Sequence, residues 1–109
     1  MQVLQGTLNV LILHALADGA RHGYAIVERI RAVSSGELEI EEGALYHALH
    51  RMEARGWLSA EWRSSENNRR AKYYALTASG RRQLTREAKA WGRYGAFLAR
   101  VLQPRGGRS

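Results

Sequence analysis

Apolar side chains recur at steps of three and four residues in three segments of the first half of the chain. The segments run from Gly6 to Asp18, from His22 to about Val33, and from the end of the acidic stretch Glu37–Glu42 to Gly56. Such spacing places the apolar side chains on one face of an α-helix. We therefore predict three helices. The predicted buried face of the third helix consists of Leu45, Ala48, Leu49 and Met52.

The pattern changes after Gly56 from helical spacing to alternation. Apolar and polar side chains alternate from Leu58 to Arg63, and a second short segment, Lys72 to Leu76, follows a polar turn over residues 64–70. Alternation is typical of a strand with one buried face. The two segments predict a β-hairpin, in which Trp62 faces inward and packs against the body of the domain.

A longer helix is predicted after the hairpin, from its N-cap Thr77 to about Leu102. Its apolar positions follow alternating steps of four and three residues, a spacing typical of helices that pair with one another. A body this small cannot cover the whole helix, so we predict that the helix forms a homodimer. The predicted dimer residues are Leu84, Ala88, Trp91, Gly95, Leu98 and Leu102.

The order of elements predicts a mainly α fold with one small hairpin. Three short helices followed by a hairpin, here called the wing, form a winged helix-turn-helix, which we assign to residues 1–76 as the DNA-binding domain. Residues 77–103 form the dimerisation helix, and residues 104–109 form a flexible tail rich in Pro, Gly and Arg.

Basic side chains outnumber acidic ones. The 109 residues include 17 Lys and Arg against 10 Asp and Glu, a formal charge of +7, and every basic residue except Lys72 and Lys89 is Arg. The guanidinium group is a planar fork of donors that fits phosphates and guanine edges. The charge therefore predicts a polyanionic partner, with nucleic acid ahead of a membrane surface. The absence of cysteine excludes disulfides, thiolate metal ligands and a cysteine nucleophile.

The third helix and the wing carry the candidate DNA contacts. A step of about 100° per residue places Gly43, His47, His50, Arg51 and Ala54 opposite the buried face of the third helix, with Tyr46 on its flank. Small residues at the start of a helix allow close approach to the major groove. The wing adds amides and cations in one turn, which suit phosphates or a narrow minor groove. The wing cations are Arg69, Arg70 and Lys72.

Several ordered motifs resemble the PadR family of bacterial transcriptional regulators, over most of the chain. They are Gly6-Thr7-Leu8, His22-Gly23-Tyr24, the segment from Glu42 to Glu53 continued by Arg55-Gly56-Trp57-Leu58, Arg69 to Tyr74, and Leu76 to Gly80. The single C-terminal helix resembles the compact branch of that family. The resemblance implies a homodimeric repressor that binds an inverted-repeat operator.

The resemblance also implies roles for single residues. By motif position, Gly43, Ala44, Tyr46 and His47 would lie at the DNA, with Tyr46 on a phosphate. The wing cations would contact DNA as well. The chain departs from the family pattern at Ala44, where Ser or Thr is usual, and at His47, where Pro is usual. The operator sequence therefore cannot be transferred from relatives.

An effector site is a further expectation. Across a two-fold axis, two copies of Trp91 would form an aromatic slot with Tyr94 and Leu98. The resemblance implies sensing of phenolic acids, drugs or other hydrophobic compounds, in some members at the dimer interface. The alternative is that Trp91 only packs in the interface, since dimer interfaces routinely contain aromatic residues.

Other chemistry finds little support in the sequence. His47 and His50 lie three residues apart but have no further ligands, so we predict no metal and no cofactor. No catalytic motif is present, so we predict that the chain is not an enzyme. No apolar segment reaches the ~20 residues of a membrane span, and we expect a cytoplasmic protein.

Two other functions stay open at this point. One is a basic RNA-binding module, although RNA readers usually present stacking aromatic residues on a sheet. The other is a protein–protein adaptor that uses the last helix. Affinity for duplex DNA over structured RNA would exclude the first, and the second predicts no affinity for DNA.

Overall fold

A computed structural model describes residues 1, 3, 6–64 and 66–104. Of the predicted tail, residues 105–109 lie outside this range, so its flexibility stays a prediction. The elements in chain order are α1 (Leu8–Ala15), β1 (Arg21–His22), α2 (Gly23–Val33), α3 (Glu42–Ala54), β2 (Leu58–Ser64), β3 (Arg70–Leu76) and α4 (Ala78–Val101).

The predicted hairpin is present and belongs to a three-stranded antiparallel sheet of order β1-β3-β2. The register of β2 and β3 runs from Leu58 opposite Leu76 to Ser64 opposite Arg70. The two residues of β1 pair with the edge of β3 that does not pair with β2. The sequence analysis missed β1 because two residues are too short to show a periodic pattern.

The core lies where the three short helices meet the base of the sheet. The predicted inner face of α3 is confirmed, since all four of its residues are almost fully buried. Helix α1 is shorter than the predicted Gly6–Asp18 segment and ends at Ala15, but its central side chains are buried as expected. The other large buried side chains are Ile12, Leu13, Leu16, Ile26 and Ile30.

Helix α4 is fastened to the turn between α3 and β2. The hydroxyl of Thr77 accepts a hydrogen bond from the backbone N–H of Gly80 (3.0 Å), as expected of an N-cap, and donates one to the carbonyl of Gly56 (2.6 Å). Gly80 lies directly against the carbonyl of Trp57, where a Cβ could not fit. The start of α4 is therefore held on the body by a fitted contact.

The second half of α4 projects from the body. From Gly92 to Val101 every residue is exposed in the single chain, although a helix this apolar on one side is expected to be covered. A Cβ at Gly92 or Gly95 would meet no atom within 4 Å. Within one chain, these two glycines therefore pack against no other element among the described residues.

Candidate nucleic-acid interface

The outer face of α3 is free, as predicted. Its residues Gly43, Ala44, Tyr46, His47, His50 and Arg51 are all exposed. A Cβ at Gly43 would meet only Glu41 Oε1, at 3.6 Å. The face therefore begins with an open, flat surface that a groove of DNA can approach.

One member of this face, Arg51, turns towards α1. Its Nη2 donates to Oδ1 of Asn9 in α1, with 3.4 Å between the two atoms. The bond is long and both groups are exposed, so it costs little to break. The guanidinium of Arg51 therefore lies beside α1 when nothing is bound.

Tyr46 fits against the start of α2. A Cβ at Gly23 would be 2.6 Å from the Tyr46 hydroxyl oxygen, so the buried Gly23 leaves the space in which this hydroxyl lies. His22 caps the same helix, because its Nδ1 accepts a hydrogen bond from the N–H of Ala25 at 3.2 Å. Its ring meets that of Tyr73 edge to face at 5.2 Å. The motif His22-Gly23 thus joins α2 to both α3 and the wing.

Trp62 is exposed, and the prediction that it packs against the body is wrong. It shares a sheet face with buried Leu58, as alternation predicted, but 58% of its surface is accessible. Its ring borders an open space between the wing and the helices α2 and α3, which leaves more than half of its surface uncovered. Arg70 stacks over the Trp62 ring instead, with 5.8 Å from its Cζ to the ring centroid.

Lys72 joins the wing to α3. Its Nζ lies 3.1 Å from Glu53 Oε1, and both side chains are about one-third exposed. The hydrogen bond to Glu53 raises the pKa of Lys72 above its usual value. Of the three wing cations, Arg69 and Arg70 are exposed with no carboxylate partner among the described residues, whereas Lys72 is already paired.

These parts meet in a groove of about 560 Å³ between α2, α3 and the wing. Its walls combine cations with aromatic rings and the start of a helix, where backbone N–H groups point outward. It brings Tyr46 together with all three wing cations, whereas Gly43, Ala44, His47, His50 and Arg51 lie outside it on the α3 face. The residues that form it include Gly23, Tyr46, Trp62, Arg69, Arg70 and Lys72.

The candidate dimer residues divide into two groups. Leu84 packs on the core of its own chain, and Trp91 is half-buried with its ring close to Gly6. Ala88, Gly95, Leu98 and Leu102 are exposed. Tyr94, the remaining candidate effector residue, is exposed and meets the Trp91 ring edge to face at 5.8 Å. In the single chain, part of the Trp91 ring is therefore covered by Gly6 of its own chain. The helical spacing of α4 could not reveal this contact.

Two features are absent from the residues that the structure describes. Among them, no group of three or more His, Cys, Asp or Glu side chains could hold a metal ion. Across the same residues, none of the helices is long and apolar enough to cross a membrane.

The fold and the groove define a winged-helix protein with a long C-terminal helix. The model of the transcriptional regulator PadR-like family matches residues 12–86, and the chain belongs to that family. The family consists of regulators of transcription and not of enzymes, as the sequence predicted.

Individual relatives agree with this assignment. A transcriptional regulator from Mycobacterium tuberculosis is 37% identical over 79 residues, which cover 72% of this chain and 70% of that protein. A transcriptional regulator from Clostridium thermocellum superposes with a TM-score of 0.81 at 25% identity, covering 91% of this chain and 93% of the other. Bacillus subtilis PadR, solved in complex with operator DNA, shares the fold with a TM-score of 0.67 at 22% identity, covering 75% of this chain and 46% of that one.

Proposed function

We propose that the protein is a sequence-specific DNA-binding repressor that binds an inverted-repeat operator as a homodimer. The observation that carries this proposal is the basic, aromatic groove beside the exposed face of α3. From Gly43 to Ala54 the only acidic residue of α3 is Glu53, and Lys72 neutralises it. Between Gly43 and Ala54, a polyanion that lies along α3 therefore meets no unpaired carboxylate of that helix.

The groove holds the sugar–phosphate backbone. Phosphate contacts fix the position of a protein on DNA, and they come from Arg, Tyr and helix N-termini. The groove offers all three, in Arg69 and Arg70, in the Tyr46 hydroxyl and in the start of α2. The related Bacillus subtilis PadR was solved with operator DNA, which supports the same mode of binding here.

The outer face of α3 reads the bases. With the backbone held in the groove, Gly43 and Ala44 lie at the start of the helix that enters the major groove, followed by His47 and His50. An imidazole can donate or accept, so it can bond to the edges of purines. Arg51, released from Asn9, reaches a phosphate or a base beside the same face.

Dimerisation through α4 explains its exposed apolar surface. Five large apolar side chains near the end of α4 are exposed in the single chain: Tyr94, Phe97, Leu98, Val101 and Leu102. A contiguous patch of this kind marks an interaction site. A second copy of α4 covers it and places two α3 helices on two half-sites, as an inverted repeat requires.

The same interface takes the effector. Tyr94 and Leu98 are exposed, and Trp91 retains part of its surface. Two copies of these side chains form an apolar slot for a small hydrophobic or aromatic compound, whose binding releases the operator. A repressor of this kind acts in the cytoplasm, where bacterial DNA lies.

Selection of random duplexes by the wild-type dimer at one fixed salt concentration tests the proposal. A palindromic motif with two half-sites is expected, together with weaker binding to structured RNA of the same length. Selection of no motif would contradict sequence-specific binding, and a single half-site would contradict the dimer. Repression of a reporter that carries the selected motif then tests the sign of regulation.

A further inference from the structure

Helix α4 carries a row of cations on the side that faces away from the body. They lie at steps of four, three, four and seven residues, which a helix of 100° per residue places within an arc of about 60°. The row is about 27 Å long at 1.5 Å per residue. It lies opposite Gly80, Leu84 and Trp91, which face the body. The cationic stripe consists of Arg82, Arg86, Lys89, Arg93 and Arg100, all of them exposed.

Acidic side chains do not neutralise this stripe. The only acid of α4 is Glu87, which lies on the body side of the helix and accepts a hydrogen bond from Gln83 at 2.8 Å. Elsewhere in the described chain, cations such as Arg21 and Arg31 form ion pairs with acids three residues away. Within that same part of the chain, the stripe residues form no ion pair.

The stripe destabilises the helix that carries it. Like charges three or four residues apart on a helix repel one another. Three such pairs follow in succession, Arg82 with Arg86, Arg86 with Lys89, and Lys89 with Arg93. A solvated helix face usually alternates the signs of its charges, whereas this one concentrates a single sign. A polyanion that lies along α4 would remove the repulsion.

Duplex DNA fits this stripe better than a membrane or an acidic peptide. Four of the five cations are Arg, whose fork matches phosphate oxygens. A duplex carries about one negative charge per 1.7 Å, so it supplies phosphates along all of the ~27 Å row. A helix that lies on a membrane buries an apolar face along its length and keeps its cations on the other side. In α4 the first half of the apolar face packs on α1, so that half is not available to a membrane.

We propose that the cationic stripe of α4 is a second duplex-binding surface, which holds phosphates without reading bases. Helix α4 packs on α1 and β3, and the stripe points away from both. A segment bound there is therefore distinct from the segment on α3 and the wing. The protein joins two DNA segments. A dimer interface on the side of Leu98 and Leu102 leaves the stripe free from Arg82 to Arg93, whereas Arg100 stacks over Phe97 of the apolar patch.

The test compares two variants that remove the same charge. Lys89→Gln/Arg93→Gln removes two stripe cations, and Arg31→Gln/Arg55→Gln removes two exposed cations from the ends of α2 and α3. Affinity for a random 40-base-pair duplex is measured against salt concentration. The stripe variant should lower the slope of log K against log salt by about 0.9 per lost phosphate contact. The control should leave the slope unchanged, and equal effects of the two variants overturn the proposal.

A second measurement separates this surface from the α3 and wing site. Protein bound to an immobilised duplex of the selected motif is offered a fluorescent random duplex. Wild type should capture it, and the stripe variant should lose capture while it keeps the immobilised duplex and the melting temperature of wild type. Undiminished capture by the stripe variant overturns the proposal. So does an unchanged salt slope combined with a loss of binding to phosphatidylserine vesicles, because the stripe would then be a membrane surface.

Discussion

The hydroxyl of Tyr46 lies directly over Gly23, where a Cβ would come within 2.6 Å of its oxygen. Tyr46 is in α3 and Gly23 begins α2, so one contact sets both the distance between two helices and the floor of the groove. The residue type at position 23 therefore controls where the hydroxyl that we propose to contact a phosphate lies.

Gly23→Ala should weaken DNA binding with little effect on folding. The added methyl group meets the end of an exposed side chain, which can swing outward. The expected loss is about 1–3 kcal/mol per protomer, the range for a hydrogen bond to a charged group. A double-mutant cycle with Tyr46→Ala checks the reason. If Gly23→Ala still weakens binding in the Tyr46→Ala background, the effect does not act through Tyr46.

Gly43→Leu should abolish specific binding and leave the protein folded. The position is open, so the side chain meets no core atom but blocks the approach of DNA to α3. Replacing a helical Gly should even raise stability by up to about 1 kcal/mol. Ala32→Leu, exposed in the last turn of α2, is the matched control and should bind normally. Duplex selection and thermal melting of both variants decide whether α3 reads sequence.

Arg70→Ala should weaken binding to all sequences alike. An arginine on a phosphate carries no sequence information, so its loss lowers the salt slope by about one unit per protomer, or about two in a dimer. Arg63→Ala is the control, because Arg63 stacks on Tyr73 (4.0 Å) on the other face of the hairpin from Arg70. If the salt slope changes for Arg63→Ala and not for Arg70→Ala, the DNA lies on the face of the wing opposite to the one that we propose.

Leu98→Asp/Leu102→Asp should convert the dimer to monomers. Both leucines are exposed in the single chain, so two carboxylates disturb no core and are buried only if a second copy covers them. Val33→Asp, at the exposed end of α2, introduces a similar change away from α4 and should leave the dimer intact. Sedimentation equilibrium measures the outcome, and a double variant that stays dimeric would require another interface.

The ion pair between Lys72 and Glu53 should make a small contribution to stability that depends on pH. The pair raises the pKa of Lys72, so its contribution is complete below pH 10.5 and is lost as pH rises through the raised pKa. Partly exposed pairs contribute about 0.2–1 kcal/mol. Urea unfolding of wild type and Lys72→Gln at pH 8 and at pH 11 should show a difference that shrinks at the higher pH. A constant difference would mean that Lys72 stabilises the wing by packing alone.

The helices and the hairpin were predictable because each shows its burial pattern along the chain. The face of α3 that holds Leu45 and Leu49 follows from spacing, and so does the exposure of Gly43 on the opposite side. Alternation also indicated correctly that Trp62 shares a face with Leu58. It could not indicate how far the body extends beneath the sheet, and for that reason Trp62 was wrongly expected to be covered.

The groove was less predictable because it depends on distances between elements. Tyr46, Gly23 and Lys72 are far apart in sequence, and no periodic pattern shows that they meet. The pairing of Lys72 with Glu53 likewise depends on the angle between the wing and α3. Two signals were available in the sequence. Gly23 in the His22-Gly23 motif indicates that another group approaches closely, and Glu53, the only acid from Gly43 to Ala54, indicates a basic partner.

The hydrogen bond from the Thr77 hydroxyl to the carbonyl of Gly56 fixes one end of α4, so a small rotation at that end moves the other end a long way. The helix has 24 residues, about 36 Å, and its first turn is fixed to the loop that ends α3. A tilt of about 10° around that point moves the far end by roughly 6 Å. In a dimer joined at the far ends, the same tilt changes the separation of two α3 helices that must match successive turns of DNA, about 34 Å apart. A ligand that separates the far ends of the two α4 helices can therefore change the spacing of the two α3 helices without contacting either of them.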